Sequence, residues 1–199
     1  MTIIFDLGGV YFYDGTARAM AVINKKYYID ENLLSKSFYG DEGILYRKNK
    51  ITHDVFWDMA KKRWGIEHVE TCELSQIWYD GYAPNDEVVE LVLHLKLKGY
   101  EIFYMSGSTR ERVVFLEEKY NFLKNFDDGV FSFDIGARKP ELEHYLAVLS
   151  KTSNAPNNCI FIDDCKNNLL PAKGLGINTI HFSSSEKLHA DLIKHGLLN

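Results

Sequence analysis

Four short apolar runs, each ending on a reactive polar residue, constrain this chain more than any other feature. The first is Thr2-Ile3-Ile4-Phe5, closed by Asp6 and followed by Gly8-Gly9. Ile102-Phe103-Tyr104-Met105 leads to Ser106-Gly107, Phe131-Ser132-Phe133 to Gly136 and Lys139, and Ile160-Phe161-Ile162 to Asp163-Asp164. A polar group at the exit of a buried strand projects from the sheet's edge, where open α/β sheets place their reactive groups. An acid, a hydroxyl, a lysine and an acid pair can therefore converge on one edge.

The segments between these runs are helical in pattern. Asp86 to Lys98 is apolar at Val88, Val89, Leu91, Val92 and Leu95, with Gly99 as a stop. Arg110–Tyr120, Pro140–Ser150, 166–174 and 185–195 are the later helices. Pro140 suits a first helical turn, where its missing N–H costs nothing. Strands are expected at 100–105, 130–133, 158–162 and 178–182. Strand and helix alternating at this spacing form parallel βαβ units with right-handed crossovers. From about 16 to 82 the pattern is helical without a strand: Asn32–Phe38, a helix capped by Thr52 and stopped at Gly65, and Val69–Tyr79. Ala83-Pro84-Asn85 marks a boundary. The expected fold is α/β, a Rossmann-like parallel sheet sandwiched by helices. Residues 1–14 and 85–199 would form the core, and 15–84 a small helical cap inserted after the first strand.

Composition narrows the possibilities. At 199 residues and 46% apolar, with twelve Tyr and twelve Phe, the chain can bury a sizeable core. A net charge of −5 with scattered Lys and Arg leaves no electrostatic footprint for nucleic acid. No stretch approaches the ~20 apolar residues of a membrane span. The N-terminus carries no secretory pattern, and Cys72, Cys159 and Cys165 lack metal-ligand spacing. Reduced thiols and a cytoplasmic location are expected, as a monomer or homodimer.

Each exit residue taken singly has a plain structural reading. Asp6 could form a turn, Ser106 cap a helix, Lys139 sit in solvent, and Asp163-Asp164 open the next helix. Taken together, in the order acid, hydroxyl, lysine, acid pair, they describe a site. Two like charges at about 4 Å repel by ~1 kcal/mol even in water, so three carboxylates need a cation. The donors are hard oxygens, which selects Mg²⁺ over zinc. A cation, a lysine, the Ser106 hydroxyl and the N–H groups of Ser106-Gly107-Ser108 around a carboxylate suit a phosphoryl group. Asp6 could attack phosphorus and form an aspartyl-phosphate that water hydrolyses.

These residues resemble the four motifs of the haloacid dehalogenase superfamily over essentially the whole chain. Phe5-Asp6-Leu7-Gly8-Gly9-Val10 is similar to the first motif and Tyr104-Met105-Ser106-Gly107 to the second. Gly136-Ala137-Arg138-Lys139-Pro140 through Tyr145 is similar to the third, and Phe161-Ile162-Asp163-Asp164 with Asn168, Pro171 and Gly176 to the fourth. The resemblance implies Asp6 as nucleophile, with Ser106, Gly107 and Lys139 binding phosphate. It implies Asp6, the Gly8 carbonyl and Asp164 as Mg²⁺ ligands, held in place by Asp163 and Asn168. It also implies a helical-cap phosphatase acting on a small-molecule phosphate ester.

One position departs from the pattern. Most phosphatases of the family carry a second Asp two residues after the nucleophile, as general acid and base, and here that residue is Gly8. A missing proton donor is typically worth ~10²–10⁴-fold in rate. The leaving group could be good enough alone, a water or another side chain could substitute, or turnover could be slow or absent. A phosphomutase is disfavoured, since it needs that acid, and so is a dehalogenase, which needs no metal. The alternative to a phosphatase is a catalytically weak relative that binds a phosphorylated ligand or protein partner. Tyr46 and Arg47, with Tyr39, Lys48, Tyr11 and Tyr13, are candidates to reach the substrate, and would suit a sugar phosphate or similar metabolite. His53 and His144 read as surface or core residues.

Overall fold

The structure, a computed structural model, describes residues 1–199. Five parallel strands form one sheet: β1 (Thr2–Phe5), β2 (Glu101–Ser106), β3 (Asp128–Phe131), β4 (Cys159–Asp163) and β5 (Asn178–His181). Their order is β3-β2-β1-β4-β5, so β1 is central. The chain runs from β1 outward to one side and then crosses to the other. This places the topological switch at the ends of β1 and β4, beside Asp6 and Asp163.

The period of two along β1 divides the core. Ile3 and Phe5 join one apolar layer, and Ile4 joins the other. The first layer is completed by α6 (Asp86–Leu97), α7 (Arg110–Tyr120) and α11 (Ser185–Lys194), through Val88, Val92, Leu116, Leu188 and Leu192. The second is completed by α9 (Leu142–Leu149) and α10 (Lys166–Gly174), through Tyr145, Val148, Leu169 and Ala172.

Between β1 and α6 lie five helices: α1 (Gly15–Tyr27), α2 (Glu31–Tyr39), α3 (Asp41–Arg47), α4 (His53–Trp64) and α5 (Thr71–Asp80). Asp14, Asp30 and Thr52 cap α1, α2 and α4 through their side chains. Gly65 ends α4 in the left-handed conformation at φ 70°. The five helices pack around aromatic rings. Phe38 lies 5.0 Å from Trp78 and 5.7 Å from Trp64, and Phe56 lies 5.1 Å from Trp57. No helix is long and apolar enough to cross a membrane.

Within the insertion, α1 and α3 are helices that the sequence reading did not single out, and beyond it two elements differ from that reading. The third strand is Asp128–Phe131, not 130–133, and Ser132 and Phe133 open a short helix, α8 (Ser132–Ile135). The Phe133 ring stacks on that of Phe131, with centroids 5.0 Å apart and planes at 10°. Ser132 Oγ, freed from the strand, donates to Arg47 O at 2.6 Å. The following helix starts at Leu142, not Pro140, because Glu141 N donates to Arg138 O at 2.7 Å and spends that stretch in a turn.

Candidate active site

Register fixes the site. Phe5 stands opposite Tyr104 of β2 and Ile162 of β4, so Asp6 emerges level with Asp163, the last residue of β4, and one residue before Ser106 ends β2. The ladder extends one bond further, with Asp6 N donating to Ile162 O at 2.9 Å. Asp6, Ser106 and Asp163 therefore reach the same carboxyl-terminal edge. Lys139 joins them from the loop between α8 and α9.

Asp6 is 7% exposed. Its Oδ1 accepts from Leu7 N at 2.7 Å and from Lys139 Nζ at 2.8 Å, while Oδ2 makes no bond within the protein. Burial pushes its pKa up to about 8; Lys139 opposes the shift, and Asp163 and Asp164 add to it. Lys139 is also buried and donates to Asp163 Oδ2 at 2.6 Å. Burial works against its charge, but Asp163 and Asp6 outweigh it and raise its pKa above the ordinary lysine value.

Asp163 is fully enclosed. Besides Lys139, it accepts from Cys165 N at 2.8 Å and Asn168 Nδ2 at 2.9 Å. The Asn168 carbonyl in turn accepts from Tyr145 Oη at 2.6 Å. Three donors act as a clamp, so Asp163 orients Lys139 and the start of α10. Asp164 is different: no side chain donates to its carboxylate, which opens on the cavity. Partial desolvation, then Asp163, raises its pKa.

The neighbouring turn is Gly8-Gly9. Gly9 sits at φ +92°, and a Cβ there would lie 2.3 Å from Asp164 Oδ2. The glycine is required twice, for its backbone angle and for the space that the carboxylate occupies. Carboxylate oxygens of Asp6, Asp163 and Asp164 lie within 4.8 Å of one another. An oxygen cluster with one carboxylate free of side-chain donors, one half-free carboxylate and a side-chain-free cradle fits a hard divalent cation. Asp6, Asp164 and the Gly8 carbonyl are the groups that would hold it.

A cavity of about 260 Å³ opens beside these groups. Ser106 lines it with an Oγ that makes no hydrogen bond within the protein, and Gly107 lines it next to Ser106. Of the two residues expected to reach the substrate, Arg47 borders the cavity and Tyr46 does not. Tyr46 faces a separate depression. Its hydroxyl donates to Glu111 Oε2 at 2.7 Å, and its ring stacks on Phe56 at 4.8 Å, so packing inside the helical insertion claims it. Tyr39 borders the cavity. Lys48 pairs with Glu141 at 2.8 Å, Tyr11 is buried beneath Asn125, and Tyr13 lies under Arg18.

The sequence reading passed over Arg112, Tyr82, Asp14 and Arg138, all of which border the cavity. Arg112 carried a signal. It shares the face of α7 occupied by Val113 and Leu116, so a charge sits where a buried apolar residue is due. Its Nε and Nη2 donate to Ser108 Oγ at 3.1 and 2.9 Å, and Nη1 to Tyr82 Oη at 2.9 Å. Burial, then repulsion by Arg112, lowers the Arg47 pKa to about 10, which leaves it cationic at neutral pH.

The edge-of-sheet cluster and its fold define a hydrolase class. The sequence pattern described as haloacid dehalogenase-like hydrolase matches residues 1–176, and the chain belongs to that family. The chain is 33% identical to enolase-phosphatase E1 of Hydrogenobaculum sp., over 63% of this chain and 60% of that one. It is 25% identical to the sesquiterpene phosphatase astK of Aspergillus oryzae, over 92% and 89%. A crystal structure of a family enzyme from Bacteroides thetaiotaomicron, in complex with magnesium and inorganic phosphate, superposes with a TM-score of 0.78 at 23% identity. That alignment covers 92% of this chain and 93% of the other, and shows the shared fold.

Proposed function

We propose that this hydrolase is a Mg²⁺-dependent phosphatase that cleaves a small phosphorylated metabolite through an aspartyl-phosphate on Asp6. One observation carries the reading. Asp6 is held by Lys139 through one oxygen and presents the other, unbonded, to a cavity that Ser106 and Asp164 also border. The likeness to named phosphatases and to a magnesium- and phosphate-bound relative agrees with it.

Asp6 Oδ2 forms the new O–P bond as the ester O–P bond breaks. Ser106 Oγ, the N–H groups after it and Lys139 Nζ donate to the equatorial phosphoryl oxygens, where charge collects. Asp6, Asp164 and the Gly8 carbonyl would hold Mg²⁺, whose positive charge would favour ionised Asp6 and a polarised phosphoryl group. Leu7 N and Lys139 fix the Asp6 carboxylate for in-line attack, and Asp163 holds Lys139 at the required depth. Water then attacks phosphorus, the Asp6 O–P bond breaks, and phosphate leaves. Residues 15–84 act as a cap that sets the far wall of the cavity. Asp6→Asn should abolish phosphate release, more than ~10³-fold, with the fold unchanged by circular dichroism; retained turnover in that variant rejects the mechanism.

Gly8 supports a second reading, a slow enzyme that mainly binds its phosphorylated ligand. No side chain at position 8 can protonate the departing oxygen, so that oxygen leaves as an alkoxide or takes its proton from water. A Cβ at Gly8 would meet Tyr82 Cε1 at 3.4 Å, an ordinary contact. Gly8→Asp should therefore fold, and for poor leaving groups raise kcat by ~10²-fold or more. An unchanged rate means that protonation does not limit turnover.

A further inference from the structure

Asp6 and Asp164 border the cavity at the sheet edge, and Asp14 and the guanidiniums of Arg47, Arg112 and Arg138 border it as well. Of the arginines, Arg63 pairs with Glu42 and Arg110 with Asp134. Arg47 and Arg112 border the cavity, are 9% and 3% exposed, and meet only neutral acceptors. Arg47 Nη1 donates to Phe38 O at 2.5 Å and Gly43 O at 3.1 Å, which leaves Nε and Nη2 without a protein acceptor. Arg112 reaches Ser108, Gly107 and Tyr82, again without a carboxylate. Both guanidiniums stand against the same indole, at 5.4 and 4.8 Å from the Trp78 ring centroid. Aromatic faces soften the burial of such charges, but they do not neutralise them. Two desolvated cations near one another, neither bonded to a carboxylate, favour the arrival of an anion.

The placement is also directional. Arg112 is tied to the loop of Ser106 and Gly107 through the Gly107 carbonyl at 3.3 Å, and so stands beside the phosphoryl end. Arg47 projects from the last turn of α3, in the helical insertion. A planar guanidinium with free N–H groups matches a carboxylate or phosphate with two parallel bonds. A neutral sugar would leave both charges as they are. The cavity, about 260 Å³, limits the bridge between the two anionic ends to a few carbons.

We propose that Arg47, backed by Arg112, binds a second anionic group of the substrate, so that the molecule processed is a compact phosphate ester that also carries a carboxylate or a second phosphate. The proposal rests on the phosphatase reading for its chemistry, though not for the binding itself.

The test compares matched esters of three-carbon alcohols: a neutral glycerol phosphate, a phosphorylated hydroxy acid and a bisphosphate, each with Mg²⁺. At least one doubly anionic ester should exceed the neutral one in kcat/KM by about tenfold or more, and which one does so separates carboxylate from phosphate recognition. In Arg47→Gln that ratio should fall towards one, mainly through KM. Binding is read separately, from the thermal shift of the wild-type protein with each ester. Selective stabilisation by a doubly anionic ester without hydrolysis of any would uphold the inference while removing the phosphatase reading. Hydrolysis of all three with no preference would leave the phosphatase standing and overturn the inference, as would equal stabilisation or none. If Arg47→Gln fails to fold, the wild-type ratios still decide.

Discussion

Gly9 illustrates how a single position can carry structural and chemical demands at once. Its φ of +92° is one that a residue with a Cβ rarely adopts, and the space a Cβ would need holds Asp164 Oδ2. Gly9→Ala thus imposes backbone strain of order 1–3 kcal/mol and pushes Asp164 away. Chemical denaturation should show that loss, and titration with Mg²⁺ should show weaker binding by about tenfold or more. A stable variant with unaltered Mg²⁺ affinity would mean that the turn relaxes without moving the carboxylate. Asp6, Lys139 and Asp164 could be read from the chain because each follows a buried strand or its loop. The division of labour within the acid pair could not be read from spacing. It comes from donors that are distant in sequence, Lys139 and Asn168, which saturate Asp163 and leave Asp164 open.

Among the secondary elements, α9 carries a buried titratable group that the chemistry does not use. His144 is fully enclosed; Nε2 donates to Val130 O at 3.3 Å and Nδ1 has no partner. Burial first, then Lys139, depress its pKa from 6.5 to about 4. Between those values the unfolded chain binds a proton that the native protein does not, so stability falls as pH is lowered from 6.5 to 4. The lost stability is on the order of 3 kcal/mol. His144→Gln keeps a donor for Val130 and removes the titration. Urea unfolding across that range should therefore show a smaller loss in the variant, and equal losses would place the acid sensitivity elsewhere. The same region shows where patterning misleads. Phe131 and Phe133 alternate as strand residues should, yet Phe133 stacks on Phe131 from a helical turn. Apolar alternation over three residues cannot distinguish the last turn of a strand from the first turn of a helix; what decides is Ser132, whose bond to Arg47 O lies outside any local window.

In the molecule as a whole, the sheet was evident from five runs and their spacing, whereas the cavity depends on how α1–α5 meet the sheet. Trp78 of α5 is where the two are joined. It is fully buried against Phe38, Phe56 and Trp57, donates from Nε1 to Thr16 Oγ1 at 3.0 Å, and faces the guanidiniums of Arg47 and Arg112. Thr16 Oγ1 lies 2.8 Å from Tyr82 Oη, which accepts from Arg112, so the indole is linked to the cavity wall by packing and by hydrogen bonds. Trp57 is equally buried in the same aromatic cluster, and neither indole borders the cavity, but of the two only Trp78 has the guanidiniums of Arg47 and Arg112 over it. Truncating either to Ala removes a large core side chain and should cost about 3–5 kcal/mol. The two variants should separate in function: Trp78→Ala lowers kcat/KM further than its loss of folded protein explains, because Arg47, Arg112 and Tyr82 lose their common support, whereas Trp57→Ala loses activity only in step with stability. Urea midpoints together with kcat/KM at a temperature where both variants are folded make the comparison. Equal activities in the two would show that the insertion positions the arginines without the indole.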